Sequence, residues 1–361
     1  MKITTSFFIF ISKMNGGWIK IKGKGVLFMI NLGIIGTGMI SRNFVATAEK
    51  TNEFKLTAVY SRTEERAKEF GEPFGAQNFF TDLDKFFESE VFSTVYIASP
   101  NDLHFQQVKQ AILNHKNVIV EKPAFSNPNE MKQIITLFQA HPEVCFFEAA
   151  RTIHEPSFAA IKEKLGTMKT IQGTSLTYQK YSSRYDAFLE GKNPNIFTLK
   201  HSAGALQDLG VYLVYDAVGW FGVPEEVHYF PVKLENGIDG SGIAILKYPH
   251  FQVELNIGKT SNSYLPSEIY GLKDTIVMDN AADLNEVKWV DDQRNAHPIG
   301  QLMENHLISE IKDFAKIIND PNKDLNRQLR KQWLQLAIQV NRVLYELRLS
   351  AGIRFDADEL K

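Results

Sequence analysis

From Met29 onward the apolar residues fall in short runs, and the spacing between runs changes character once along the chain. Residues 30–35, 55–60, 94–98, 118–120 and 144–147 are brief apolar runs rich in β-branched and aromatic side chains, the pattern of buried strands. Amphipathic stretches at 64–70, 104–114 and 130–139 lie between them. This alternation predicts an α/β Rossmann-type domain, a doubly wound parallel sheet with helices on both faces. After Ile153 the pattern is different. Residues 156–165 read as a helix stopped at Gly166. Residues 170–178, 242–248, 252–258, 267–270 and 275–279 then read as strands with turns at Gly, Asn, Asp and Pro between several of them. Strands without intervening helices predict an α+β domain with an open, mainly antiparallel sheet. Residues 326–349 form a long amphipathic pattern, expected to dock on a domain. The expected organisation is an α/β domain over 29–150 and an α+β domain over 151–361, its last helix returning to the core.

The segment ahead of Met29 reads separately. Residues 7–11 are apolar but too short to span a bilayer, and no small-residue cleavage site follows a longer apolar core. The codons for Lys24-Gly25-Val26 are able to spell a ribosome-binding sequence two codons before Met29. Met29 is therefore the expected start, with residues 1–28 a translated leader or disordered extension.

A chain of 361 residues suits two domains. Hydrophobic residues make up 44% and charged residues 23%, an ordinary soluble balance, and the net charge of -2 favours neither nucleic acid nor an anionic membrane. The single cysteine, Cys145, sits in the run Val144-Cys145-Phe146-Phe147 and reads as an inert buried thiol. Such cysteine usage fits a cytoplasmic protein. No His, Cys, Asp or Glu grouping has metal-ligand spacing, so no metal is expected.

Gly36-Thr37-Gly38-Met39-Ile40-Ser41 follows the first strand and opens a helix. The spacing matches the dinucleotide fingerprint: Gly36 for the tight turn, Gly38 for approach of the pyrophosphate, Ser41 for close helix–sheet packing. A glycine turn without a ligand is the bland alternative. The second strand ends at Tyr60-Ser61-Arg62, where an NAD site usually carries Asp or Glu. Ser61 and Arg62 suit a 2′-phosphate, with Arg66 one turn later. NADP is the expected cofactor and NAD the alternative. The competing reading makes Ser61 and Glu64 a capping box with Arg62 merely solvated.

Glu121-Lys122-Pro123 follows the strand at 118–120, with Ser99-Pro100-Asn101-Asp102-Leu103-His104 upstream and Gly204-Ala205-Leu206-Gln207-Asp208-Leu209-Gly210-Val211-Tyr212 downstream. Together with the glycine turn these motifs resemble the Gfo/Idh/MocA oxidoreductase family over nearly all of 30–355. The resemblance implies a Rossmann domain joined to an open-faced sheet, face-to-face dimers, and hydride transfer between nicotinamide and a secondary alcohol or ketone of a sugar, cyclitol or diol. Many members carry His four residues after the Asp of the last motif. Tyr212 stands there instead, which resembles the dihydrodiol dehydrogenases, glucose-fructose oxidoreductases and NADP-linked xylose dehydrogenases. Ala203 replaces the first of two glycines often found before Ala-Leu.

Such chemistry needs a base for the hydroxyl proton and a group that stabilises the alkoxide. Lys122, at the carboxyl edge of a parallel strand, is placed to stabilise the alkoxide and lower the pKa of a neighbouring phenol. Tyr212 is the candidate phenol, and Asp208, one turn earlier, is expected to orient Lys122 or Tyr212. Taken singly, Lys122 reads equally as a surface lysine and Tyr212 as a core residue. Ser99, Pro100, Asn101, Glu121 and Arg151 are expected at the cofactor, with His104 either lining the nicotinamide or capping its helix. The polar segment 181–200 is the candidate substrate lid, through Tyr181, Arg184 and Asn195. The sequence thus points to an NADP-dependent oxidoreductase acting on a small polyhydroxylated molecule. A non-catalytic NADP sensor is the rival, and it has no use for Lys122 and Tyr212. Apolar alternation at Ile243, Ile245, Val253, Leu255 and Ile257 predicts a sheet face covered in a homodimer.

Overall fold

The computed structural model describes residues 11–14, 17–22 and 25–359, with side chains from Met29 onward. Strands β1 (Ile11–Met14), β2 (Gly17–Lys22) and β3 (Gly25–Phe28) pair antiparallel in a small sheet of their own. The first ten residues of the expected leader lie outside the described residues.

The Rossmann domain follows as β4 (Ile30–Ile35), α1 (Met39–Thr51), β5 (Phe54–Tyr60), α2 (Glu64–Gly71), β6 (Asn78–Phe80), α3 (Leu83–Glu88), β7 (Thr94–Ile97), α4 (Asn101–Leu113), β8 (Asn117–Glu121), α5 (Pro128–Ala140) and β9 (Phe146–Ala149). Its six strands are all parallel, in the order β6-β5-β4-β7-β8-β9. The order reverses between β4 and β7, so a crevice opens at their carboxyl ends, where such sheets bind ligands. A parallel sheet must bury both faces. Here α1 and α2 cover one face through Phe44, Val45, Ala67 and Phe70, while α3, α4 and α5 cover the other through Phe86, Val108 and Ile134.

The rest of the chain comprises α6 (Pro156–Leu165), β10 (Gly173–Gln179), α7 (Tyr185–Leu189), a π-helical turn at Leu206–Gly210, α8 (Val211–Phe221), β11 (Glu226–Lys233), β12 (Asp239–Lys247), β13 (Gln252–Gly258), β14 (Ser267–Tyr270), β15 (Thr275–Met278), β16 (Val287–Val290), β17 (Ala296–Pro298), α9 (Leu307–Asn319) and α10 (Asp324–Ser350). The eight strands form one sheet, order β11-β12-β13-β10-β14-β15-β16-β17, antiparallel except at β10–β13. Its inner face packs on α8 and α10 around Leu213, Val214, Leu255, Ile257, Val340 and Leu344. The apolar stripe of α9 returns to the first domain, where Phe314 stacks on Phe147 at 4.7 Å between ring centroids.

Several elements escape the sequence pattern. β11 contains Pro231, which an edge strand tolerates because one side of it needs no ladder partner. α7 lies inside the stretch read as an unpatterned loop. Helix α4 begins at Asn101, three residues before the expected start. The proposed docking face also needs correction. Val253, Leu255 and Ile257 are fully buried against the core. The antiparallel register pairs Ile243 with Asn256 and Ile245 with Glu254, so only Ile243 and Ile245 of the five face outward. Phe230, 64% exposed, joins them there opposite Ile243. A one-residue difference in register turns a side chain to the other face, and the alternation within each strand does not reveal it.

Candidate active site

The turn after β4 is built for an anion. Gly36 has φ +97, and a Cβ there would lie 2.3 Å from the Ala98 carbonyl oxygen, so no other residue fits. At Gly38 a Cβ would meet nothing within 4 Å, which leaves open space over the backbone. Gly38 is the N-cap of α1; no side chain caps the helix and no acid stands in its first turn. The first-turn N–H groups and the positive end of the helix dipole therefore face that space. Thr37 is half-buried, Met39 and Ile40 are exposed at the rim, and Ser41 is fully buried where α1 meets the sheet. These residues fit a dinucleotide pyrophosphate.

At the end of β5, Ser61 is buried and its N–H donates to the Phe80 carbonyl at 3.0 Å. The Ser61–Glu64 capping box of the competing reading does not form. Thr63 caps α2, its hydroxyl accepting from the Arg66 N–H at 3.4 Å, and Glu64 pairs with Lys68 at 2.6 Å. Arg62 and Arg66 are exposed, and no acid occupies this strand end.

The loops after β7 and β8 are locked together. His104 is fully buried, its ring nitrogens against the carbonyls of Pro123 at 3.2 Å and Ser99 at 2.9 Å. Its contacts brace the two loops, and burial holds its imidazole below the usual range. The Ser99 hydroxyl donates to Gln107 at 2.6 Å. Pro100 is the half-buried N-cap of α4. The Asn101 amide donates to the Ser202 carbonyl at 2.8 Å, and Asp102 pairs with His201 at 2.8 Å. Side chains expected at the cofactor thus tie the first domain to the segment that leads into Gly204–Tyr212.

The cluster around Lys122 and Tyr212 lies beside them. The Lys122 ammonium donates to the Asp208 backbone carbonyl at 2.8 Å and sits 4.3 Å from the centroid of the Tyr212 ring. The Arg151 guanidinium carbon lies 5.1 Å from the same ring. Arg151 is pinned by Glu155 at 3.3 Å and Asp283 at 2.5 Å. Burial pulls the Lys122 ammonium down, but Tyr212, Glu121 and Asp208 outweigh it and hold its pKa above the usual lysine value, so it stays charged. Glu121 does not face outward either. It accepts a short hydrogen bond from the Tyr96 hydroxyl, and burial raises its pKa. Glu148 accepts from the Ala124 N–H at 3.1 Å and supports the turn that carries Lys122.

Asp208 meets Lys122 through its main chain and not through its side chain. Its carboxylate pairs with Lys259, while its main-chain oxygen orients Lys122. The π-helical turn accounts for this, because a widened turn breaks the regular i→i−4 ladder and leaves carbonyls for other donors. Gly204, at φ +108, begins the motif; a Cβ there would lie 2.0 Å from an Asp239 carboxylate oxygen. Lys259 carries no sequence signal beyond being a charge at the end of an apolar strand.

Tyr181 donates to Asp186 at 2.6 Å, Arg184 is exposed ahead of α7, and Asn195 is exposed with its carbonyl accepting from Thr198 at 3.2 Å. None of the three makes a described contact with Lys122 or Tyr212. Tyr178 does, edge-on to Tyr212 at 5.7 Å. Cys145 is buried and burial pushes its thiol up, as an inert thiol requires. Among the described residues, His115 meets the sequence-distant pair His141 and Glu143, with ligand atoms within 4.8 Å of one another.

Comparison with known proteins now decides the family. A profile of the oxidoreductase family with an NAD-binding Rossmann fold, Gfo/Idh/MocA, matches residues 30–149. An uncharacterised oxidoreductase of Escherichia coli, YgjR, is 35% identical over 92% of this chain and 100% of its own length. The chain belongs to the Gfo/Idh/MocA oxidoreductase family. The scyllo-inositol 2-dehydrogenase (NADP(+)) IolU of Bacillus subtilis is likewise 35% identical, over 92% of this chain and 100% of its own. The crystal structure of the 3-ketoreductase KijD10 of Actinomadura kijaniata with NADP and TDP-benzene superposes with a TM-score of 0.76 at 18% identity, covering 89% of this chain and 98% of that one, which shows a shared fold. Among the described residues, no helix is long and apolar enough to cross a membrane.

Proposed function

We propose that this family member is an NADP-dependent dehydrogenase or reductase of a secondary alcohol or ketone on a small polyhydroxylated molecule: a cyclitol, sugar or diol. The observation that carries the proposal is the Lys122 ammonium 4.3 Å from the Tyr212 ring, at the carboxyl edge of the parallel sheet beside the glycine turn. When bound, the nicotinamide accepts or supplies the hydride. Tyr212 takes the hydroxyl proton in oxidation and returns it in reduction. Lys122 stabilises charge developing on the substrate oxygen, in a partly buried setting where such a charge counts for more than in water. The Asp208 carbonyl fixes the direction of that ammonium, and Arg151 sets a second cation against the phenol ring. Ser61 and Arg62 at a strand end without an acid, with Arg66 one turn later, support NADP over NAD, as does the likeness to the NADP(+)-linked inositol dehydrogenase. That relative also supports the cyclitol reading. The division at 150/151 and a cytoplasmic homodimer through the outer sheet face belong to the same reading. The test is nicotinamide absorbance with NADP⁺ and NAD⁺ over a panel of inositols, sugars and diols. Turnover with NADP⁺ is expected; cofactor binding without turnover across the panel would overturn the proposal in favour of a sensor.

A further inference from the structure

Lys259 is charged, follows β13 and is only 2% exposed. A buried ammonium is costly unless its donors find partners. It finds the Asp208 carboxylate, the Ile196 carbonyl at 2.6 Å and the Phe197 ring at 4.3 Å. Its main chain is engaged too: the Lys259 carbonyl accepts from the Ser182 N–H at 2.9 Å. One residue therefore grips both ends of the segment 182–197 and the side chain of Asp208, whose carbonyl holds Lys122 at 2.8 Å.

We propose that Lys259 is a positioning residue that couples the conformation of segment 182–197 to the direction of the Lys122 ammonium through Asp208. An arrangement of the segment that shifts the Ile196 carbonyl shifts Lys259, and with it the π-helical turn that aims Lys122. Substrate contact on the segment would thereby complete the reactive cluster. This rests on the reading of Lys122 as the group that acts on the substrate oxygen.

Lys259→Met alone leaves the Asp208 carboxylate without its cation, so the informative protein is the double variant Lys259→Met/Asp208→Asn, which has neither charge. In the NADPH-bound protein, amide hydrogen exchange is expected to rise both in 182–197 and in 206–212. NADPH affinity is expected to stay within about twofold, because the glycine turn is untouched. With a good substrate, kcat is expected to fall roughly 10–100-fold, as misaimed catalytic groups do, and the alkaline limb of the kcat–pH profile is expected to move. Faster exchange confined to 182–197, with kcat and its pH profile unchanged, would reduce Lys259 to a structural staple and overturn the coupling while leaving the proposed function intact. Faster exchange in both segments of the double variant, with a wild-type protein that turns over nothing, would uphold the coupling and overturn the function.

A different observation carries a second inference. His115 lies in the turn between α4 and β8, and His141 and Glu143 lie in the turn between α5 and β9. Both turns are at the amino edge of the parallel sheet, opposite Lys122. The Nδ1 atoms of His115 and His141 converge on one Glu143 oxygen at 2.8 and 3.4 Å. We infer a surface site for a divalent transition metal of the zinc class that pins the two turns together. Two imidazoles and a carboxylate with an open fourth position suit zinc, whereas calcium and magnesium prefer all-oxygen ligands. Calorimetry with ZnCl₂ on the full chain is expected to show micromolar binding of one equivalent, weakened tenfold or more in His115→Ala and in Glu143→Gln, with turnover unchanged and no response to MgCl₂. Zinc binding that is absent, or equal in the variants and the wild type, would overturn the site.

Discussion

Arg62 and Glu148 show at the residue scale how environment assigns a role. Arg62 stands exposed at the end of β5 with no acid beside it. Arg62→Ala should weaken NADPH far more than NADH, by about 1.5–3 kcal/mol for a charge-assisted contact. Equal losses in fluorescence titrations would make Arg62 an adenine stack and nothing more. Glu148 has the opposite setting. Burial pushes its carboxyl up to about 7, against the hydrogen bond from the Ala124 N–H. A free glutamate titrates near 4.3, so the folded value is the higher one. The stability of the protonated form is then fully present below about pH 4.3 and drains away as pH rises through about 7, a loss of roughly 4 kcal/mol at most. Glu148→Gln, which keeps an acceptor for Ala124, should therefore melt higher than the wild type at about pH 8.5 and equally at about pH 4. An equal gain at both pH values in calorimetry would show that ionisation is not the cause. At this scale the motif residues were legible from sequence because their types are chemical necessities. Lys259 was not, since the partners that keep its charge in the interior come from segments far apart in the chain. The cluster of His115, His141 and Glu143 was hidden for the same reason.

At the scale of elements, the glycine turn was legible to the residue. Only a residue without a Cβ leaves room for the Ala98 carbonyl at Gly36, and the sequence pattern encodes that demand directly. Gly36→Ala should abolish dinucleotide binding and lower the melting temperature, while Gly38→Ala, whose Cβ meets only open space, should lose NADPH affinity with little loss of stability. Equal destabilisation of the two would contradict this division. The π-helical turn at Leu206–Gly210 was not legible, because its sequence satisfies an ordinary helix equally well. Its effect is to separate the two ends of Asp208, carboxylate to Lys259 and carbonyl to Lys122. The bracing role of His104 was hidden as well, since it depends on the Pro123 carbonyl meeting the Ser99 loop.

The whole molecule places a parallel sheet with a ligand crevice next to an antiparallel sheet, one face of which no helix covers among the described residues. Phe230 and Val232 are 64% and 63% exposed on that face, beside Ile243. Apolar exposure of this kind calls for cover, and the proposed twofold dimer would supply it. Ile243→Lys with Phe230→Lys should yield a monomer in light scattering without loss of the fold; an unchanged assembly would place the interface elsewhere. Both sheet classes could be read from sequence, because strand–helix alternation and its absence are local patterns. The face that each strand of the second sheet presents could not, because register is set between strands. The account as a whole stands on Tyr212 moving the substrate proton with Lys122 beside it. Steady-state kinetics of Tyr212→Phe on the best substrate of the panel, with NADPH affinity measured alongside, is the most direct test. The substitution keeps the ring that Lys122, Arg151 and Tyr178 pack against and removes only the hydroxyl. A fall in kcat of roughly 10²–10⁴-fold with NADPH binding nearly unchanged is the expected result; full turnover by Tyr212→Phe would contradict the account.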